Sequence, residues 1–147
     1  MLLKNQLAEY VSACFTGLWV QSHEHEDALR EIAEMCREQE WRLALWDVEQ
    51  GFRVAGQEAE TADQGGDPLA AIRSVNALAD DNGSALLVLS NFHRFLGSPE
   101  IIQAVARQVT AGKQNRTFVV VLSPVVHYVA KTVMWRSVAI CPFLNIL

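Results

Sequence analysis

Apolar residues along this chain switch repeatedly between helical spacing and unbroken runs. Leu3, Leu7, Tyr10, Val11 and Cys14 recur every three or four positions, which predicts an amphipathic helix over residues 2–14. Thr16-Gly17 ends it, and Leu18-Trp19-Val20-Gln21 reads as a short strand. Ser22 is the expected N-cap of a second helix, because Glu24, Glu26 and Asp27 complement the positive end of a helix dipole. Leu29, Ile32, Ala33 and Cys36 supply its buried stripe to about Gln39. Trp41 to Val48 is the next strand, with Leu43, Leu45 and Asp47 on one face and Ala44, Trp46 and Val48 on the other.

Residues 55–66, AGQEAETADQGG, hold no large apolar group and read as a solvent loop. Asp67-Pro68 then starts a helix, with Leu69, Ile72, Val75 and Asn76 on one face and Asp80-Asp81-Asn82-Gly83 at its end. Ala85 to Leu89 is apolar throughout, as a strand covered on both faces should be. Ser98-Pro99-Glu100 opens another helix, whose stripe of Ile102, Val105, Ala106 and Val109 is expected to stop at Gly112. Thr117 to Leu122 is a second fully apolar strand, halted by Ser123-Pro124. A short helix near Val125 to Thr132 and a last strand near Val138 to Phe143 complete the series.

This alternation predicts one α/β domain over residues 1–147, three layers deep, with a mainly parallel sheet of about five strands. The order should lie close to that of P-loop nucleotide hydrolases, although no G-x-x-x-x-G-K-[ST] phosphate loop occurs. The core is expected to hold Leu18, Val20, Leu43, Leu45, Leu87, Val88, Leu89, Val119, Val120 and Val121.

Charge narrows the partners. The net charge of -5 divides into -10 up to Glu100 and +5 after it, since all 17 acidic residues fall in the first part. The late basic residues are scattered, which argues against nucleic acid as a partner. Cys14, Cys36 and Cys141 are widely spaced and form no C-x-x-C, so reduced thiols and a cytoplasmic setting are expected. The apolar run from Phe118 to Ala130 is broken by Ser123-Pro124 and His127 and is too short to span a membrane.

In an open parallel sheet, ligands sit outside the carboxyl ends of the strands. Asp47, Asn91, His93 and Ser123 are the polar residues expected to line that crevice. They contain the elements of a hydrolase, but G-x-S-x-G is absent, and any three polar strand ends supply such a trio, so strand ends capped by ordinary polar residues are the preferred reading. His23, His25 and Asp27 could contribute metal ligands, yet H-E-x-x-H is missing and an acidic first helical turn explains the same residues. In P-loop ATPases a strand like Leu86–Leu89 ends in a carboxylate that positions magnesium; here Asn91 stands at that place.

Five segments, LWVQSHEHEDAL, LALWDVEQGFR, DPLAAI, ALLVLSNFHRFL and TFVVVLSPVV, follow one another in a recognisable order. Their succession resembles the α/β region that precedes the ATPase module in a branch of bacterial and plastid AAA-type ATPases. The resemblance covers residues 1 to about 127. It implies a degenerate, non-catalytic domain acting in assembly or partner binding, with ATP and magnesium belonging to a separate ATPase module. That family's Lys-Asp at the third strand end is Ser90-Asn91 here, and residues 128–147 read as a diverged or truncated tail. A small stand-alone enzyme, or a ligand or nucleotide binder using the strand-end crevice, is the alternative. The tail is apolar and free of acid, which predicts a homodimer with Trp135, Val138, Ile140 and Phe143 at its contact.

Overall fold

The computed structural model describes residues 2–56, 66–125 and 136–139, the last of these by backbone alone. Each unbroken apolar run becomes a strand: β1 (Gly17–Gln21), β2 (Arg42–Asp47), β4 (Ala85–Ser90) and β5 (Thr117–Ser123), with β3 (Gly51–Val54) between β2 and β4 in the chain and β6 (Arg136–Ala139) last. Helical spacing becomes α1 (Leu3–Ser12), α2 (His25–Gln39), α3 (Pro68–Ser74) and α4 (Pro99–Asn115). The six strands form one sheet in the order β3-β2-β4-β5-β1-β6, all parallel except β3. β1 therefore lies inside the sheet, with the rest of the parallel strands to either side, as in P-loop folds.

Alternation along each strand builds two cores. Leu18, Val20, Leu43, Leu86, Val88, Phe118, Val120 and Leu122 point to the face covered by α1 and α2. Trp19, Ala44, Trp46, Leu87, Leu89, Val119 and Val121 point to the face covered by α3 and α4. Each large side chain so enclosed contributes about 1.5–3 kcal/mol, which is why strands buried on both faces carry almost no polar residues. At the amino ends of the strands, Arg116 gathers three elements. It donates from Nε to Ser84 Oγ (3.0 Å) and from a terminal nitrogen to the Val11 carbonyl (3.2 Å), and its guanidinium lies 5.5 Å from the Phe118 ring centre.

Several expectations need correction. β3 is absent from the pattern-based reading because four residues, Gly-Phe-Arg-Val, are too short to show a period. α2 starts at His25 and not beside Ser22, whose buried hydroxyl instead accepts the Glu24 N–H (3.1 Å) within the preceding turn. α4 does not stop at Gly112 but runs on to Asn115. Of the expected core residues, Leu45 alone is only half-buried, because it lies toward the β2–β3 edge of its face. The last strand begins at Arg136, two residues earlier than expected. The helix foreseen over Val125–Thr132, together with Trp135, Ile140 and Phe143, falls outside the described residues apart from Val125.

Candidate functional site

The carboxyl ends of the parallel strands stand in a row. Trp46 is in register with Leu89, Ser90 with Leu122, and Gln21 with Ser123, so Asp47, Asn91 and Ser123 close three adjacent strands. Neighbouring strands lie about 4.8 Å apart, which puts the backbones of Asp47 and Ser123 about 10 Å from one another. The fold thus brings the expected crevice residues to one end of the sheet. Each of them also has a local task.

Asp47 closes the β2–β3 hairpin. Its Oδ1 accepts the N–H groups of Glu49 (2.9 Å) and Gln50 (2.6 Å), and its Oδ2 accepts from Arg53 (3.2 Å). An aspartate is suited to this turn because its short carboxylate reaches the backbone two residues on. Asn91 sits at φ 56° and ψ 28°, left-handed backbone that asparagine tolerates better than most residues. Its N–H donates to the Leu122 carbonyl (2.7 Å), turning the chain out of β4 into the single 3-10 turn Phe92–Arg94. The backbone thus accounts for a side chain of the Asn or Asp type there, and the amide leaves the strand end without charge.

His93 is half-buried in that turn, with Nδ1 shielded from solvent. Beneath it Phe92 and Phe95 meet the buried Trp46 indole edge to face, at centroid distances of 5.6 and 5.5 Å, and fill the α3–α4 side of the crevice. Ser123 is fully buried. Its Oγ accepts the indole N–H of Trp19 (2.9 Å) and donates to the Val125 carbonyl, which also accepts from Trp19 (3.1 Å). Gln21 donates to the Pro124 carbonyl (3.3 Å). A serine whose proton is held by a backbone carbonyl is not poised as a nucleophile, and β4 separates the strand of Ser123 from that of Asp47. Trp19 is the residue missed by sequence reasoning here. Its only sequence signal was a Trp inside an apolar strand, where a buried indole N–H needs a partner.

The turn from β1 into α2 is the place where a phosphate loop would open onto a helix. It reads Ser22-His23-Glu24, with Glu26 and Asp27 in the first helical turn. A hydrogen bond with Asp27, helped by desolvation, raises the Glu24 carboxyl above the ordinary glutamate range. Burial pushes the His25 imidazole below its usual value, so it favours the neutral form; a hydrogen bond that the imidazole donates to the Ser22 backbone opposes this. Asp27 also binds Arg30 (3.1 Å). The positive end of the α2 dipole thus meets carboxylates of this chain, which would repel a polyphosphate. His23, His25 and Asp27 do not converge with a further donor: no three His, Cys, Asp or Glu side chains among the described residues are grouped to hold a metal ion.

Against known proteins, the family model described as the SpoVK-like AAA ATPase, N-terminal domain, matches residues 3–131. No curated protein matches the chain.

Proposed function

The chain belongs to the family of SpoVK-like AAA ATPase N-terminal domains, and from that premise we propose that it is a non-catalytic domain acting in assembly or partner binding beside an ATPase module. The observation that carries this reading is the chemistry of the β1–α2 turn. Glu24, Glu26 and Asp27 occupy the helix start where a nucleotide hydrolase of this strand order needs glycines and a lysine. Support also comes from Asn91, which offers no carboxylate for magnesium, and from Asp47 and Ser123, whose polar atoms close a hairpin and clamp a strand end. On this reading ATP and magnesium are bound by the separate module.

Titration calorimetry with magnesium ATP is the direct test. The expected result is no binding in the micromolar range and no phosphate release above buffer. Asn91→Asp, which restores a carboxylate, is expected to add neither, because the α2 start still lacks its lysine and glycines. Micromolar affinity in the unmodified chain would overturn the proposal.

Assembly has its own support at the opposite edge from β3. β6 ends the sheet, and its outer backbone groups have no strand beside them among the described residues. An edge of this kind invites pairing with another chain. We expect a two-fold dimer through β6, Val138 included, and the apolar tail around it. Size exclusion with light scattering at tens of micromolar should give twice the 16.4 kDa chain mass. A single monomer peak would remove the dimer from the proposal.

A further inference from the structure

A cavity of about 760 Å3 lies away from the strand carboxyl ends, between the C-terminal half of α2, the start of β2 and the residues that end and follow β3. Its origin is in the topology. α1 and α2 cover one face of the sheet, but β3 extends that face beyond them, and no β3 residue joins the core beneath the two helices. The result is a groove with Leu43 in its floor, the chain at residues 54–56 along its rim and Trp41, half-buried, at one end. Arg30 and Arg37 stand on the helix wall and Arg42 on the strand wall.

Charge sets this groove apart from its surroundings. α2 is rich in glutamate, yet among the described residues the lining contains three arginines and no acidic side chain. Arg30 is held by Asp27 (3.1 Å), and Arg42 by Asp80 (2.9 Å) and the Leu78 carbonyl (3.2 Å). Both ion pairs are exposed, and such pairs are weak and exchange partners readily. The Arg37 guanidinium makes no hydrogen bond or ion pair among the described residues, although its charge helps to lower the nearby Glu34 carboxyl. The buried Cys36 thiol is pushed up to about 12 by desolvation, so the floor stays neutral.

The spacing of the cations selects the occupant. Arg30 and Arg37 are seven residues apart on one helix, roughly 10 Å along its axis. Their backbone positions are therefore spread along a line. An extended chain with acidic residues at intervals matches that spread, because it could engage the arginines in turn. An apolar floor beside the line of cations suits the alternate side chains of the same extended segment.

We propose that this groove docks an acidic, partly apolar peptide segment of a protein partner, its carboxylates on Arg37, Arg30 and Arg42 and its apolar side chains against Trp41 and Leu43. This rests on the partner-binding reading above and names the partner's chemistry.

The test is fluorescence anisotropy of the full chain with a labelled peptide of alternating glutamate and leucine, at low ionic strength. Binding is expected with Kd on the order of 10–100 µM, weakening with added salt. Arg37→Glu and Trp41→Ala should each weaken it by about tenfold or more, whereas Arg107→Glu, exposed on α4 at the other face, should not. Circular dichroism melts check that each variant is folded. If Trp41→Ala fails to fold, the charge-reversed Arg37→Glu at the exposed helix surface still decides the matter.

Equal binding of the same peptide with glutamine for glutamate, or no loss in Arg37→Glu, would overturn the proposal. Displacement of the peptide by millimolar tripolyphosphate without loss in Trp41→Ala would also overturn it, in favour of a small-anion site. Failure here with no magnesium ATP binding removes this groove and leaves the non-catalytic reading standing. Micromolar magnesium ATP binding removes that reading whatever the peptide does.

Discussion

Trp19→Ala is expected to destabilise the domain by about 3–5 kcal/mol, the range for truncating a fully buried aromatic side chain. Trp19 has no exposed surface, and its ring lies against Val119 and Val121 on the face covered by α4. Its N–H also joins β1 to the end of β5 through Ser123 Oγ (2.9 Å) and the Val125 carbonyl (3.1 Å). Alanine therefore leaves a cavity and removes two bonds at once. Trp19→Phe separates the two contributions. It retains most of the volume and loses only the N–H, and because Ser123 still donates to Val125, a loss of about 1 kcal/mol is expected. For a domain whose total stability is about 5–15 kcal/mol, the alanine variant should unfold at markedly lower urea. A loss below about 1 kcal/mol for Trp19→Ala would show that the indole does not bind the two strands together.

The second large effect concerns a glycine whose replacement should run against helix propensity. Gly112 lies in the last turns of α4, where alanine normally stabilises by about 1 kcal/mol. A Cβ at this position would fall far inside contact distance of the Thr117 carbonyl oxygen and 3.2 Å from both the carbonyl carbon and Oγ1 of Thr117. Thr117 cannot yield easily. It is the first residue of β5, fully buried, and its hydroxyl accepts from Gln108 (2.9 Å) and donates to Asn115 (2.8 Å). Gln108 in turn exchanges two hydrogen bonds with Asn76 (2.9 and 3.0 Å). Overpacking of this kind costs about 1–3 kcal/mol after the propensity gain is overcome. Gly97→Ala is the control, since a Cβ there meets nothing within 4 Å. It should be neutral or slightly stabilising. Stabilisation by Gly112→Ala in chemical denaturation would refute the close helix–strand approach.

Gly112 also shows how far a sequence pattern reaches. As a local signal, glycine after a helical stripe reads as a stop, and the stripe of Ile102, Val105 and Val109 ended just before it. In the fold the same glycine is a contact point, because α4 doubles back tightly onto β5. Local propensity is a weak prior and the tertiary contact overrides it. Asn91 divides the same way. The end of β4 and the missing carboxylate were legible, but the left-handed backbone that makes an Asn-type residue suitable was not. Asp47 was assigned to a ligand crevice because a polar strand end looks alike in either role. Its bonds to Glu49, Gln50 and Arg53 depend on β3, a strand too short to announce itself.

What the sequence alone determined was the succession of elements and the side-chain faces of the long strands. Period-2 and period-3.6 spacing follow from backbone geometry, and apolar runs such as Leu86–Leu89 and Phe118–Leu122, short and bounded by polar residues, fit a doubly covered strand. The order of motifs likewise placed the chain beside the N-terminal regions of AAA-type ATPases, where the family match over residues 3–131 now sets it. The tertiary structure decided everything that depends on which distant segments meet. It set β3 beside β2 and so left a face of the sheet uncovered, and it brought Arg30 and Arg37 of α2 opposite Arg42. It also gave Ser123, expected only as a crevice residue, the indole N–H of Trp19 as a partner, 104 residues away in the chain. Such pairings are fixed by packing over the whole domain, and no local window of sequence contains them.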